Sequence, residues 1–258
     1  MRTSETHLDC APALRRGRVR AMLWIHEVHR TWGKHEDEFE ALYRDEWMPA
    51  VAQSGDAKLL YYAHLTHGSG RAYTVITVTA ARDAAAWGNL VERVYEGDLK
   101  DVSRELDQLR HNVTGKILTP AYWSPVIPAD LDAVPADPSR DHDPSLFMED
   151  TVWPWDGMLL EYIDKAAEQY APSIEESNQA GTSVLEVQSF LHTVFGTGQR
   201  AEVVLWQRIT NYDRLWNLFA NDMPSAAKAP GTWMNDALVV RDDWRSRLLR
   251  TARWSPLF

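Results

Sequence analysis

Lys116-Ile-Leu-Thr-Pro-Ala-Tyr-Trp-Ser-Pro125 returns near the end of the chain as Arg247-Leu-Leu-Arg-Thr-Ala-Arg-Trp-Ser-Pro256, with five of ten positions identical and two more conservative. Working outward, Gly68-Ser-Gly70 with Arg71-Ala72 matches Gly196-Thr-Gly198 with Arg200-Ala201. Trp87 matches Trp216, and Asp45-Glu-Trp-Met-Pro49 matches Glu168-Gln-Tyr-Ala-Pro172. The matches keep one order at offsets of 123 to 131 residues, so the chain is a tandem duplication.

Each copy reads as β-α-β-β-α-β. In the first, residues 22–28 are β-rich and bounded by polar residues. From His35, the residues Phe39, Leu42, Tyr43, Trp47 and Val51 recur at helical spacing, and Pro49 ends or kinks that helix. Residues 58–66 and 72–80 read as strands joined by a hairpin at Gly68-Ser-Gly70, where glycine tolerates positive φ. Helices follow over 82–94 and 99–110, and a closing strand over 115–123. In the second copy, strands are predicted over 146–152, 183–194, 200–209 and 247–255, with a long helix over 157–176. This order is the split-βαβ, ferredoxin-like plait, of α+β class. Leu59, Tyr61 and Leu65 alternate with Leu60, Tyr62 and His64, so the sheet is apolar on both faces and must be covered on both. Helices cover one face. The other copy can cover the second, packing the two antiparallel sheets face to face as a barrel.

Four segments follow. Residues 1–21 read as a flexible leader, with Arg15, Arg16, Arg18 and Arg20 but no apolar core of a signal peptide. Residues 22–125 and 145–258 are the two units. Residues 126–144 read as a stiff acidic linker with four prolines and five aspartates, unable to form a helix or a central strand. Its His142, between two aspartates, is expected to be solvated.

Composition narrows the function. Of 258 residues 45% are hydrophobic and 25% charged, as in an ordinary globular chain with a full-sized core. A formal net charge of −10 with scattered Lys and Arg argues against a nucleic-acid groove. No apolar run approaches the ~20 residues of a membrane span. The single Cys10 excludes a disulfide framework within the chain, and a reducing cytoplasm is the expected compartment. Nucleotide-binding glycine loops, a P-loop, a serine elbow and a zinc helix are absent from the sequence. Twelve tryptophans supply large rigid surfaces for a core or a pocket.

Taken together, the late proline in the first helix, the Gly-x-Gly hairpin, the Trp-bearing helix and the closing Trp123-Ser124-Pro125 and Trp254-Ser255-Pro256-Leu257 resemble the NIPSNAP branch of the dimeric α+β barrel superfamily. That branch is related to the EthD and antibiotic-monooxygenase-like families. The resemblance covers nearly the whole chain after residue 21, once per half. It implies an internal dimeric α+β barrel. It also implies a range of activities, from cofactor-free oxygenases, isomerases and haem enzymes to non-catalytic proteins, without a shared catalytic motif.

Candidate site residues are polar groups on apolar strands. Glu27 and His29 share a face of the first strand and suit a proton-transfer dyad, or a solvated strand end. His26 lies on the opposite face. The second copy carries Glu149 and Asp150 there, so the copies differ where chemistry is expected. His64 and His192 occupy equivalent positions and suit a base, a haem ligand or a strand-end hydrogen bond copied by duplication. Glu186, His192, Glu202, Trp206 and Arg208 form a second polar set, able to orient a substrate or merely to pair as ions. Tyr61, Tyr73 and His67 complete a pocket for an aromatic ligand, or fill the core. His29, Glu27 and His64 are the expected catalytic groups. Trp123 and Trp254 are expected to hold the fold. The sequence therefore favours an enzyme acting on an apolar or aromatic molecule by oxygenation or proton-transfer rearrangement, without a nucleotide cofactor. Haem binding and a non-catalytic ligand-binding role are the alternatives. A monomer or a homodimer is expected.

Overall fold

The computed structural model describes residues 22–125, 128–138 and 141–258, so the expected leader and its Cys10 lie outside the described residues. The first copy contributes β1 (Leu23–Thr31), α1 (Glu36–Leu42), α2 (Met48–Ala52), β2 (Ala57–Leu65), β3 (Thr74–Ala81), α3 (Ala84–Tyr95), α4 (Lys100–Gln108) and β4 (Arg110–Pro120). The second contributes β5 (Leu146–Pro154), α5 (Leu159–Lys165), α6 (Ala171–Gln179), β6 (Leu185–Thr193), β7 (Val203–Ile209), α7 (Tyr212–Ala220), α8 (Trp233–Asp236) and β8 (Arg241–Thr251). The eight strands close into an antiparallel barrel in the order β1-β3-β2-β8-β5-β7-β6-β4. The copies meet at two seams, β2 with β8 and β4 with β6. Closure leaves no exposed strand edge.

Three layers of apolar side chains follow from the double-sided strands. Trp24, Tyr61, Ile76, Phe147, Trp206 and Leu249 meet inside the barrel, drawn from both copies. Phe39, Tyr43, Trp47, Leu59, Tyr62 and Leu90 pack between the first sheet and its helices. Tyr162, Ile163, Phe190 and Leu205 do the same in the second copy.

The repeated Trp-Ser-Pro motif clasps the barrel. Ser255 Oγ accepts from the Tyr62 amide at 3.1 Å, and Ser124 Oγ accepts from the Phe190 amide at 2.7 Å. Each serine thus satisfies a strand of the other copy. The tryptophans follow: Trp254 packs on Tyr62 and donates to Glu40, while Trp123 packs on Phe190 and donates to the Ile163 carbonyl.

The structure corrects several boundaries. Pro49 does not end its helix. A proline lacks the amide proton and its ring pushes on the carbonyl four residues back, so the helix widens into a π turn at Tyr43–Trp47 and continues. The second copy does the same at Ala166–Tyr170, before Pro172. β3 starts at Thr74 rather than residue 72 because Tyr73 is left-handed (φ 57°), which breaks the extended run. A Cβ on Gly33 would come within 2.7 Å of the Tyr73 ring, which would have to turn outward to admit it. β4 and β8 begin at Arg110 and Arg241, earlier than expected, since their first turns are polar and held by pairing with β1 and β5 rather than by apolar alternation. The linker forms a short 3-10 turn at Leu131–Ala133, and Leu131 and Val134 are buried in the barrel core. His142 is not merely solvated: its ring nitrogens meet the Asp143 and Ser255 carbonyls and it stacks on Phe258.

Candidate functional site

Odd-numbered residues of β1 and β3 face the helices of the first copy. There Ile25, Glu27 and Thr79 join Tyr43 and Trp47 from the π turn, Trp87, Leu90 and Val94 from α3, Leu106 and Asp107 from α4, and Arg110 at the start of β4. Together they line a cleft of about 400 Å³. Its walls are apolar and its polar groups gather at the strand end, the usual form of a small-molecule site.

The polar end is ordered by Arg110. Its guanidinium pairs with Asp107 on one side, and on the other Nη1 donates to His29 Nδ1 at 2.7 Å. Arginine can only donate, so His29 Nδ1 accepts and the ring proton sits on Nε2. That proton goes to Thr77 Oγ1 at 2.9 Å, which also accepts from the Tyr43 hydroxyl at 3.2 Å. Burial holds His29 well below the ordinary histidine range, and the neighbouring Arg110 adds to this. His29 is fully buried and both its nitrogens are engaged, so it stands behind the cleft wall.

Glu27 is placed differently. Its side chain is 24% exposed, and its closest ionisable neighbour by salt-bridge distance is His29 Nε2 at 4.0 Å. Among the described residues its carboxylate accepts no hydrogen bond. Burial pushes it above the ordinary carboxyl range, with Arg110 opposing and Asp107 assisting. The Tyr43 hydroxyl is also pushed up by burial, and by Glu27.

The second copy does not repeat this site. By the offsets of the duplication, Val152 stands for His29, Ala166 for Tyr43, Leu205 for Thr77 and Asp150 for Glu27. Asp150 is consumed by its neighbours: it accepts from Gln207 at 2.9 Å and from Ser246, and Gln207 in turn accepts from Tyr170.

The other expected residues scatter. His26 faces the barrel interior, where its Nε2 meets Glu149 at 2.8 Å. Tyr61 and Trp206 are core residues there, in tilted and edge-on contact with each other and with Phe147. Glu202 accepts from Lys116 at 2.6 Å and from Trp153 at 3.0 Å. Glu186 pairs with Arg208 across the β6–β7 hairpin at 2.6 Å. His192 is half-buried and makes only a backbone contact, to the Thr193 carbonyl. His67 and Tyr73 are exposed in the loop between β2 and β3, outside the cleft. His64 lies in a separate groove of about 510 Å³ between the copies, with Nε2 on Glu40 at 2.9 Å and Nδ1 3.5 Å from Glu36. Its equivalence with His192 is therefore positional only. Sequence reading missed Arg110, Asp107, Tyr43 and Thr77 as site residues.

No histidine lines the first-copy cleft among the described residues, and both nitrogens of His29 are held. The histidine ligand expected for haem is therefore not presented in this cleft. No group of three or more His, Cys, Asp and Glu able to hold a metal ion occurs among the described residues. Nor is any helix there long and apolar enough to cross a membrane.

Two βαββαβ units closing one barrel define the dimeric α+β barrel fold, here built within a single chain. Solved structures agree. A presumed monooxygenase from Fusobacterium nucleatum superposes with a TM-score of 0.56 at 9% identity, over 90% of this chain and 93% of that one. A presumed monooxygenase from Lactobacillus acidophilus gives 0.54 at 10% identity, over 92% and 98%. An uncharacterized NIPSNAP domain protein from Burkholderia xenovorans is matched over 98% of its length by 40% of this chain, at 21% identity and a TM-score of 0.35. No protein-family model matches the sequence, and no curated protein does.

Proposed function

We propose that the first-copy cleft receives a small apolar or aromatic organic molecule and that Glu27 takes a proton from it. The Glu27 carboxylate carries this reading. It stands at the polar end of a cleft walled by Trp47, Trp87 and Leu106, lacks a hydrogen-bond donor among the described residues, and is raised by burial. A base works best when its pKa approaches the working pH, and burial is the usual means of bringing a carboxyl there. A ligand hydroxyl or acidic C–H would supply the missing donor. Arg110 stands at the same end as a cation for the anion left behind. His29, locked between Arg110 and Thr77, is a positioning residue rather than the base, and His64 lies outside this chemistry. The carbanion or phenolate so formed leads either to rearrangement or, by passing electrons to dioxygen, to oxygenation without a nucleotide cofactor. The two fold relatives described as monooxygenases support the second route.

The test uses 2-naphthol, a two-ring weak acid, as binding probe and a set of hydroxylated aromatics as substrates. The probe is expected to bind the native protein and to be excluded by Leu90→Trp, which fills the cleft. Glu27→Gln is expected to keep binding and to slow turnover by about 10²–10⁴-fold. Undiminished binding in the first variant, or undiminished turnover in the second, removes the reading.

A further inference from the structure

His26 and Glu149 are the same position in the two copies, 123 residues apart, and they touch. Under two-fold symmetry only a position on the axis meets its own equivalent. The register supports the equivalence. His26 stands between Val78 and Lys116, and Glu149 stands between Trp206 and Arg247, which keep the offsets of the repeat. The pair is sealed in the barrel, at 1% and 0% exposure.

The inner faces that meet there carry different polar groups, and His26 is held toward its neutral form by burial. The first copy brings His26 and Lys116. The second brings Glu149, Glu202 and Arg247. Glu149 accepts from His26 and from Arg247, and Glu202 accepts from Lys116, so both acids of this layer come from the second copy.

We infer that the two inner faces select each other: the first-copy face fits a second-copy face and rejects another of its own kind. Two first-copy faces would set His26 against His26 beside two Lys116 side chains, with neither carboxylate present. Two second-copy faces would set Glu149 against Glu149, each left with its own Arg247 and without the histidine donor. Buried charges without an opposite partner are strongly disfavoured, and like-charge juxtaposition is a common means of rejecting wrong partners. A homodimer of either copy places two identical residues on its axis and cannot set a carboxylate against a histidine there. Fusion of two diverged copies can. The partner this surface fits is therefore a sheet of the other copy's type, in the same chain or in another.

Charge exchange in the full chain tests the pair. His26→Glu and Glu149→His are each expected to lower the thermal midpoint by about 10 °C. The double variant is expected to regain at least half of the combined loss. If a single variant does not fold, a folded double variant is the same result. A double variant no more stable than the weaker single overturns the inference. Selectivity is read separately by placing a protease site after the exposed Ala136, cutting the folded protein, then unfolding and refolding the two pieces together. Native mass spectrometry is expected to find one N-terminal piece with one C-terminal piece. Homotypic pairs of comparable abundance overturn the inference.

Discussion

Arg110 donates from Nη1 to His29 Nδ1 at 2.7 Å, and this one contact fixes which proton the imidazole carries. Arg110→Met is expected to release Nδ1 and raise the His29 pKa toward the ordinary value of 6.5, since a cation beside it is removed while burial remains. An NMR titration of the ring signals reads both effects. An unchanged tautomer and titration would show that Arg110 does not set the state of His29.

Glu27→Gln is expected to stabilise the protein at neutral pH while removing the proposed base. The folded pKa of Glu27 is raised, so its carboxyl favours the fold at acid pH, and that contribution is lost as pH rises through the folded value. Glutamine does not ionise and escapes the loss. Urea midpoints at pH 5 and pH 8 check this: the gain of the variant over the native protein should be larger at pH 8.

Acid should destabilise the barrel early. His26 and His29 are both lowered by burial, so the fold disfavours their protonation and stability falls as pH drops below the ordinary 6.5 toward their folded values. Burial alone would raise Glu149, but His26 and Arg247 together hold it well below 4.5, which adds a further loss as pH falls through and beneath that value. A chemical-denaturation series from pH 8 to pH 4 is expected to decline from about 6.5 downward. In His29→Gln the decline between pH 7 and pH 5 should be shallower. A flat profile over that range contradicts the assignment of neutral histidines.

Leu131→Ala should cost about 2–5 kcal/mol, the range for a buried leucine whose removal leaves a cavity. Leu131 is 2% exposed and packs in the barrel core, although it belongs to the connecting segment. Equilibrium unfolding measures it. A loss below ~0.5 kcal/mol would be that of an exposed linker residue.

The duplication, the order of elements in each copy and the double-sided burial were legible in the sequence because repeats and period-two patterns are local signals, whereas the seams that join β2 to β8 and β4 to β6 were not. The Trp-Ser-Pro match was correctly read as structural. Its reason, a serine reaching a strand of the other copy, is a contact between residues as far apart as Tyr62 and Ser255 and leaves no local mark. Glu27 and His29 were placed on one face by the same period of two, and the structure turns that face to the helices. Arg110 was read as a helix end because the polar run from Arg110 to Thr114 lacks apolar alternation. Tyr43 was read only as a position in the helical repeat, and Thr77 only as part of a strand. A residue-by-residue comparison of the copies signals them, since Ala166 and Leu205 stand in their places. The same criterion misled at His67 and Phe195, which differ between copies yet sit exposed in equivalent loops.

Ser255 and Trp254 follow β8 of the second copy, but the surfaces they complete belong to β2 and the helix layer over the first sheet. Position along the sequence and position in the molecule are therefore crossed. A change at Trp254 or Ser255 therefore acts on the other half of the molecule, and a nascent first half waits for the segment after β8 before its helix layer is complete.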